Sequence, residues 1–190
     1  KTTVMRTALQ LTPPRKGEVR FKGVNVTGMD TSDVASMGMG WVPEDRRPFT
    51  QLTVEENLRI SVKEGDVGEK VEEAFDIFPL LTDSRNDKAN QLSGGEQQML
   101  AMARALIGSN DLILVDEPSE GLSPIVVEEI TGALKEAAED TALLIIEQSL
   151  PLALDLADRY YLLDKGMVVA QGETEGLDED SEELTKHLRV

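Results

Sequence analysis

No cysteine occurs in the 190 residues, so no disulfide framework can staple the chain, an absence that suits a reducing cytosol. No stretch approaches the roughly 20 apolar residues that a bilayer span requires. The N-terminus carries no charged-then-apolar signal sequence, and the expectation is a soluble chain. Histidine is almost missing: the only one, His187, falls in an acidic tail and reads as a surface residue rather than a ligand or base. Basic residues are scarce as well. Nineteen Lys plus Arg stand against 36 Asp plus Glu, a net charge of −17 spread along the whole chain. Without a basic stripe to neutralise phosphates, nucleic acid is not expected as a partner. Dispersed acidity of this size fits a halophilic source with a salt-rich cytoplasm, where screening shortens the range of self-repulsion; the alternative is an ordinary acidic protein.

With 40% hydrophobic residues, the length predicts one compact domain. Apolar residues at helical spacing predict a first helix over Thr2–Leu11, stopped by Pro13-Pro14. The alternating segment from Gly17 to Gly28 predicts antiparallel strands around Gly23, and Met39–Pro43 a further short strand. From Thr53 to about Leu81 the pattern is helical, interrupted near Gly65 and Gly68. Leu112–Val115 and Leu143–Ile146 are continuous apolar runs separated by a helical stripe over Pro124–Ala138, which reads as a βαβ unit with parallel strands. A helix over Pro151–Ala157, a hairpin turning at Asp164-Lys165-Gly166, and an acidic helix or tail from Asp178 to Val190 follow.

Three constellations carry chemistry. The run LILVDE delivers Asp116 and Glu117 to the carboxyl end of a buried strand, where parallel sheets bind ligands. The first acid can hold Mg²⁺ through water and the second can polarise an attacking water. Lys1-Thr2-Thr3, opening a helix, matches the tail of the phosphate-binding loop G-x-x-x-x-G-K-[ST], in which lysine reaches the terminal phosphates and the next hydroxyl binds Mg²⁺. Leu92-Ser93-Gly94-Gly95-Glu96-Gln97-Gln98 opens a helix with capping-box spacing between Ser93 and Glu96. Its two glycines leave backbone N–H groups open to a phosphate, at a cost in helix propensity that wants a reason.

LSGGEQQ, then RALI, then LILVDEPSEGL resembles the signature motif, Walker B strand and D-loop of the ABC ATPase family. Within it, WVPEDRRPFTQLTVEENL, FPLL, LSGGEQQMLAMARAL and IIEQS resemble the LivF-type ATP-binding subunits of branched-chain amino acid importers. The resemblance implies an α/β P-loop NTPase core with a mainly parallel sheet, a small antiparallel β subdomain and a helical subdomain. Residues 1–52 and 111–190 would form the nucleotide-binding core and 53–110 the helical subdomain. The N-terminal strand and most of the phosphate loop are expected outside this chain.

By matching positions, the resemblance implies that Lys1 binds the β- and γ-phosphates, Thr2 the Mg²⁺, and Thr3 sits beside the α-phosphate. Asp116 would complete the metal site and Glu117 would be the general base. Ser93, Gly94, Gly95 and Glu96 would meet ATP held by a second ATP-binding subunit. Glu44 occupies the Q-loop position, where most relatives carry Gln; repulsion from the γ-phosphate favours a sensor role for it over a metal role. Gln148 stands where most relatives carry the switch histidine, and can hydrogen-bond the γ-phosphate but not ionise. The D-loop ends in Ser123, where Asp is commoner.

The expected partners are a second ATP-binding subunit, identical or not, transmembrane permease subunits and, indirectly, an extracytoplasmic substrate-binding protein, with the chain at the cytoplasmic face of the membrane. Importers of urea or amides are an alternative, as are soluble ABC ATPases of DNA maintenance or translation, whose coiled-coil insertion or tandem second domain is not seen. A non-catalytic nucleotide-binding module is disfavoured by Asp116 and Glu117. Trp41 reads as core, Met99 and Met102 as helix packing, and Arg46-Arg47 as an exposed loop pair.

Overall fold

The computed structural model describes residues 1–178, 180, 181 and 184. Most of the expected acidic tail, and His187 with it, lies outside the described residues.

Helix α1 (Thr2–Ala8) buries Met5 and ends short of Leu11. Gln10, not the two prolines, ends it. Its backbone is left-handed (φ +60); its Nε2 donates to the Thr7 carbonyl at 2.8 Å, and its Oε1 accepts from the Gly28 N–H at 2.8 Å. The Thr7 carbonyl also accepts the Gln10 backbone N–H at 3.1 Å, so one residue closes the helix end twice over and its side chain ties the turn to the next segment. Strands β1 (Arg20–Phe21) and β2 (Val24–Asn25) pair antiparallel across Lys22-Gly23. Both turn residues have positive φ (+49 and +78), as a two-residue hairpin turn demands. Helix α2 (Thr31–Ser36) was not expected: TSDVAS holds one buried apolar residue, Val34, too few to mark a stripe.

The core sheet has the order β3 (Met39–Val42), β4 (Leu112–Asp116), β5 (Ala142–Ile146), all parallel. Val42 is level with Val115, and Asp116 with Ile146. The three strands therefore end side by side. Helix α6 (Pro124–Ala137) crosses from β4 to β5, burying Ile130, Ala133 and Leu134, so the expected βαβ unit is present. Gly38 leads into β3 at φ +99, a conformation that other residues adopt only under strain, and a Cβ there would also displace the Asp111 carboxylate.

The expected helical insert comprises α3 (Val54–Arg59), α4 (Val67–Ile77), 3₁₀ turns at Pro79–Leu81 and Ala89–Gln91, and α5 (Gly94–Leu106). Thr53 and Glu56 close a capping box on α3, Asp66 caps α4, and Ser93 and Glu96 close a second box on α5. Val54, Leu58, Val71, Phe75, Phe78, Met99, Leu100 and Met102 pack with Ile113, Val115, Ile130 and Leu134 into one continuous core. Each such side chain contributes roughly 1.5–3 kcal/mol of transfer free energy. The insert is thereby fastened to the sheet. Trp41 packs at the edge of a second cluster around Met5, Leu9, Phe21 and Met39.

The chain continues through α7 (Leu150–Leu156) into the antiparallel hairpin β6 (Arg159–Asp164) and β7 (Met167–Glu173), which turns at Lys165-Gly166 as expected. No helix among the described residues is long and apolar enough to cross a membrane.

Candidate nucleotide site at the strand ends

Every strand of the core sheet leads into a loop that bears an acid: Glu44 after β3, Asp116-Glu117 at the end of β4, and Glu147 after β5. Parallel register places these loops along one edge, where α/β sheets bind ligands.

Asp116 is fully buried, and both of its carboxylate oxygens lack a hydrogen-bond partner. A buried carboxylate without donors is costly, so the position wants a cation or water. Glu117 follows in left-handed backbone (φ +50), its N–H donating to the Ile146 carbonyl at 2.8 Å. A non-glycine residue there is strained, and such strain concentrates at functional sites. The kink turns the Glu117 side chain out of the strand to meet two others: Gln148 Nε2 donates to Oε2 at 2.6 Å, and Lys1 Nζ lies 3.8 Å from Oε1. The structure thus brings Lys1 and Gln148, far apart in sequence, to the adjacent pair Asp116-Glu117.

The surrounding charge is unbalanced toward the negative. A hydrogen bond from Glu120 holds the Glu117 carboxyl below the usual carboxylate range, with the Gln148 amide and the Lys1 ammonium adding to the effect. Glu120 is pushed upward by the same shared hydrogen bond and by the negative fields of Glu117, Glu44 and Glu147. Glu44 itself is exposed in the turn that follows β3.

The second group of expected residues lies at the start of α5. Ser93 Oγ accepts from the Glu96 N–H at 3.3 Å, and Glu96 Oε2 accepts from the Ser93 N–H at 2.8 Å. Glu96 Oε1 takes the Ser84 hydroxyl at 2.9 Å. Both oxygens of Glu96 are thus committed inside the chain, and its part is to cap the helix that presents Ser93, Gly94 and Gly95. Those hydrogen bonds, led by the one with Ser93, hold its carboxyl low. Among the described residues no hydrogen bond or ion pair joins this group to Lys1, Asp116, Glu117 or Gln148.

Arg46 departs from the expected exposed pair. Its Nε donates to Gln98 Oε1 at 3.2 Å, and its Nη1 lies 2.7 Å from where a Cβ on Gly94 would stand. Arg47 fits the expectation, exposed and paired with Asp45 at 2.8 Å. The sequence marks neither Arg46 nor Glu147, because each acts through a neighbour across the fold. The one available signal for Glu147 was its place directly before Gln148.

A divalent cation fits the strand ends. It would meet the two unpartnered oxygens of Asp116, with the Thr2 hydroxyl one residue from Lys1. No group of three His, Cys, Asp or Glu side chains among the described residues could hold a metal alone. Mg²⁺ is suited to such a sparse set, since it commonly takes one or two carboxylates and completes its shell with water and substrate phosphates.

Comparison with known proteins agrees. The family model described as ABC transporter matches residues 1–120. The high-affinity branched-chain amino acid transport ATP-binding protein BraG of Pseudomonas aeruginosa is 36% identical over 173 residues, spanning 89% of this chain and 74% of that protein. The probable branched-chain amino acid transport ATP-binding protein LivF of Archaeoglobus fulgidus is 35% identical over 177 residues, covering 90% and 75%. The ADP conformation of MJ1267, an ATP-binding cassette of an ABC transporter, superposes with a TM-score of 0.78 at 25% identity, covering all of this chain and 84% of that one. MJ0796, an ATP-binding cassette dimer bound to ADP and Pi, shares the fold with a TM-score of 0.82 at 24% identity over 93% and 81%. Strand-end carboxylates beside a lysine, a glycine-led capped helix and these relatives converge: the chain belongs to the ABC transporter family and is one of its ATPase cassettes.

Proposed function

We propose that this ATPase cassette energises an importer of branched-chain amino acids, docked on transmembrane permease subunits at the cytoplasmic face of the membrane and paired with a second ATP-binding subunit. An extracytoplasmic binding protein would deliver the cargo. Residues 1–52 and 111–190 serve as the nucleotide-binding core and 53–110 as the helical subdomain, the permease contacting the cleft between them around Glu44 to Leu58. The names of BraG and LivF support the cargo.

Lys1 holds the β- and γ-phosphates and Thr3 lies beside the α-phosphate. Thr2 and Asp116 hold Mg²⁺, which when bound supplies charge neutralisation along the phosphates. Glu117 takes the proton of the attacking water, and Gln148 orients that carboxylate and reaches the γ-phosphate. Ser93, Gly94 and Gly95 contact ATP held by the partner, with Glu96 capping their helix, and Glu44 senses the permease.

The observation that carries this reading is the meeting of Lys1 and Gln148 on the Glu117 carboxylate, directly beside the buried, unpartnered Asp116. Glu117→Gln in the full-length protein is expected to slow phosphate release by roughly a hundredfold or more while ATP still binds. Unchanged turnover would overturn the catalytic assignment. For the cargo, leucine, isoleucine or valine should stimulate hydrolysis by the reconstituted transporter; stimulation by urea or amides alone would reassign it.

A further inference from the structure

Glu147 makes more contacts at the strand ends than its silence in the sequence suggests. Its Oε1 accepts from the backbone N–H groups of Gln148 at 2.7 Å and Ser149 at 2.9 Å. Its Oε2 accepts the Ser119 hydroxyl at 2.8 Å. Ser119 lies two residues beyond Glu117, and Gln148, whose amide meets Glu117, directly follows Glu147. The contacts close a ring: Glu117 through the chain to Ser119, across to Glu147, along to Gln148, and back to Glu117. Helix α7 begins directly after this turn, with Ser149 as its N-cap, so the Glu147 carboxylate holds the two N–H groups that lead into the helix.

We propose that Glu147 is a positioning residue for hydrolysis: its carboxylate fixes the backbone of Gln148 and ties it to Ser119, so that the Gln148 amide stays on the Glu117 carboxylate. The inference rests on the catalytic reading of Glu117 given above. A negative charge beside Glu117 and Glu120 is electrostatically unfavourable, and three donors converging on one carboxylate offset that cost. The geometry also separates close substitutes. A glutamine can keep the arrangement, its oxygen accepting both N–H groups while its amide donates to the Ser119 hydroxyl. Aspartate, one methylene shorter, can close the turn but not span to Ser119.

The test is steady-state ATP hydrolysis by the full-length protein with Glu147→Ala, Glu147→Gln, Glu147→Asp and Gln148→Ala, singly, and with Glu147→Ala combined with Gln148→Ala. Glu147→Ala and Glu147→Asp should lower kcat about tenfold to a hundredfold, the effect of misplacing a reacting group by about an ångström, with KM for ATP within about twofold. Glu147→Gln should recover most of that loss. The double variant should be no slower than the slower single variant, because residues that act as a unit are not additive. An unchanged kcat in Glu147→Ala, a loss confined to KM, or multiplicative losses in the double variant would each overturn the proposal. Melting curves accompany every variant; should Glu147→Ala fail to fold, the comparison of Glu147→Asp with Glu147→Gln decides by itself. Glu117→Gln runs as a control: if it still turns over, the catalytic reading fails; if it is inactive and Glu147→Ala is normal, only this inference does.

Discussion

Asp116 and Glu117 are adjacent carboxylates in opposite surroundings. Asp116 is buried with no donor on either oxygen, while Glu117 is met by Lys1, Gln148 and Glu120. Asp116→Asn should therefore cut hydrolysis by about a hundredfold yet leave the nucleotide-free melting temperature unchanged or raised, since a buried carboxylate without partners costs roughly 1–3 kcal/mol. Scanning fluorimetry beside phosphate release separates the two effects; a lower melting temperature would refute the account. For Glu117, the depressed pKa keeps the carboxylate ionised to lower pH than an ordinary glutamate, near 4.3. A base works deprotonated, so the acid limb of the kcat profile should lie below that value. Glu120→Ala removes the leading cause of the depression and should move the limb upward, as pH–rate profiles would show.

Among the elements, α3 and α4 are clamped by Arg85, which pairs with Glu55 at 2.6 Å and Glu72 at 2.7 Å and lies over the Phe75 ring at 4.8 Å. The hydrogen bond from Arg85 lowers the Glu55 pKa. A depressed carboxylate adds stability that is present above its unfolded pKa and lost as pH falls through its folded value. Arg85→Ala should thus cost about 1 kcal/mol at neutral pH and progressively less in acid, when urea midpoints of the two proteins are compared across pH. At α5, Gly94→Ala would set a methyl 2.7 Å from Arg46 Nη1, the far end of a flexible side chain that can give way, so stability should change by less than about 1 kcal/mol; a double-mutant cycle with Arg46→Ala on melting checks it, and a larger loss that Arg46→Ala reverses would refute it. Most of these elements were legible in the sequence. The apolar runs of β4 and β5, the capping box at Ser93 and the stripe of α6 all announce themselves through local pattern. The exceptions share a cause: α2 has too few apolar residues for a period to show, and α1 stops where Gln10 reaches Gly28, a contact between segments that no local pattern contains.

For the molecule as a whole, the candidate site was legible in its adjacent members, Lys1-Thr2 and Asp116-Glu117, whose spacing is itself the signal. Glu147, Ser119 and Arg46 were not, because their partners are decided by strand register and helix packing. The net charge of −17 is legible from composition alone and acts at this scale: self-repulsion weakens the compact state until salt shortens its reach. Melting temperature should therefore rise between 0.1 M and 1 M KCl, over which the Debye length falls from about 10 Å to about 3 Å; a flat response would count against the salt-adapted reading. The left-handed backbone at Glu117 pulls the other way. Its cost of about 1 kcal/mol falls on every folded copy, whether or not nucleotide is present. Asparagine tolerates that conformation, so Glu117→Asn should withstand more heat while losing turnover. Lineages bred for endurance alone would thus be drawn toward inert proteins at this one position.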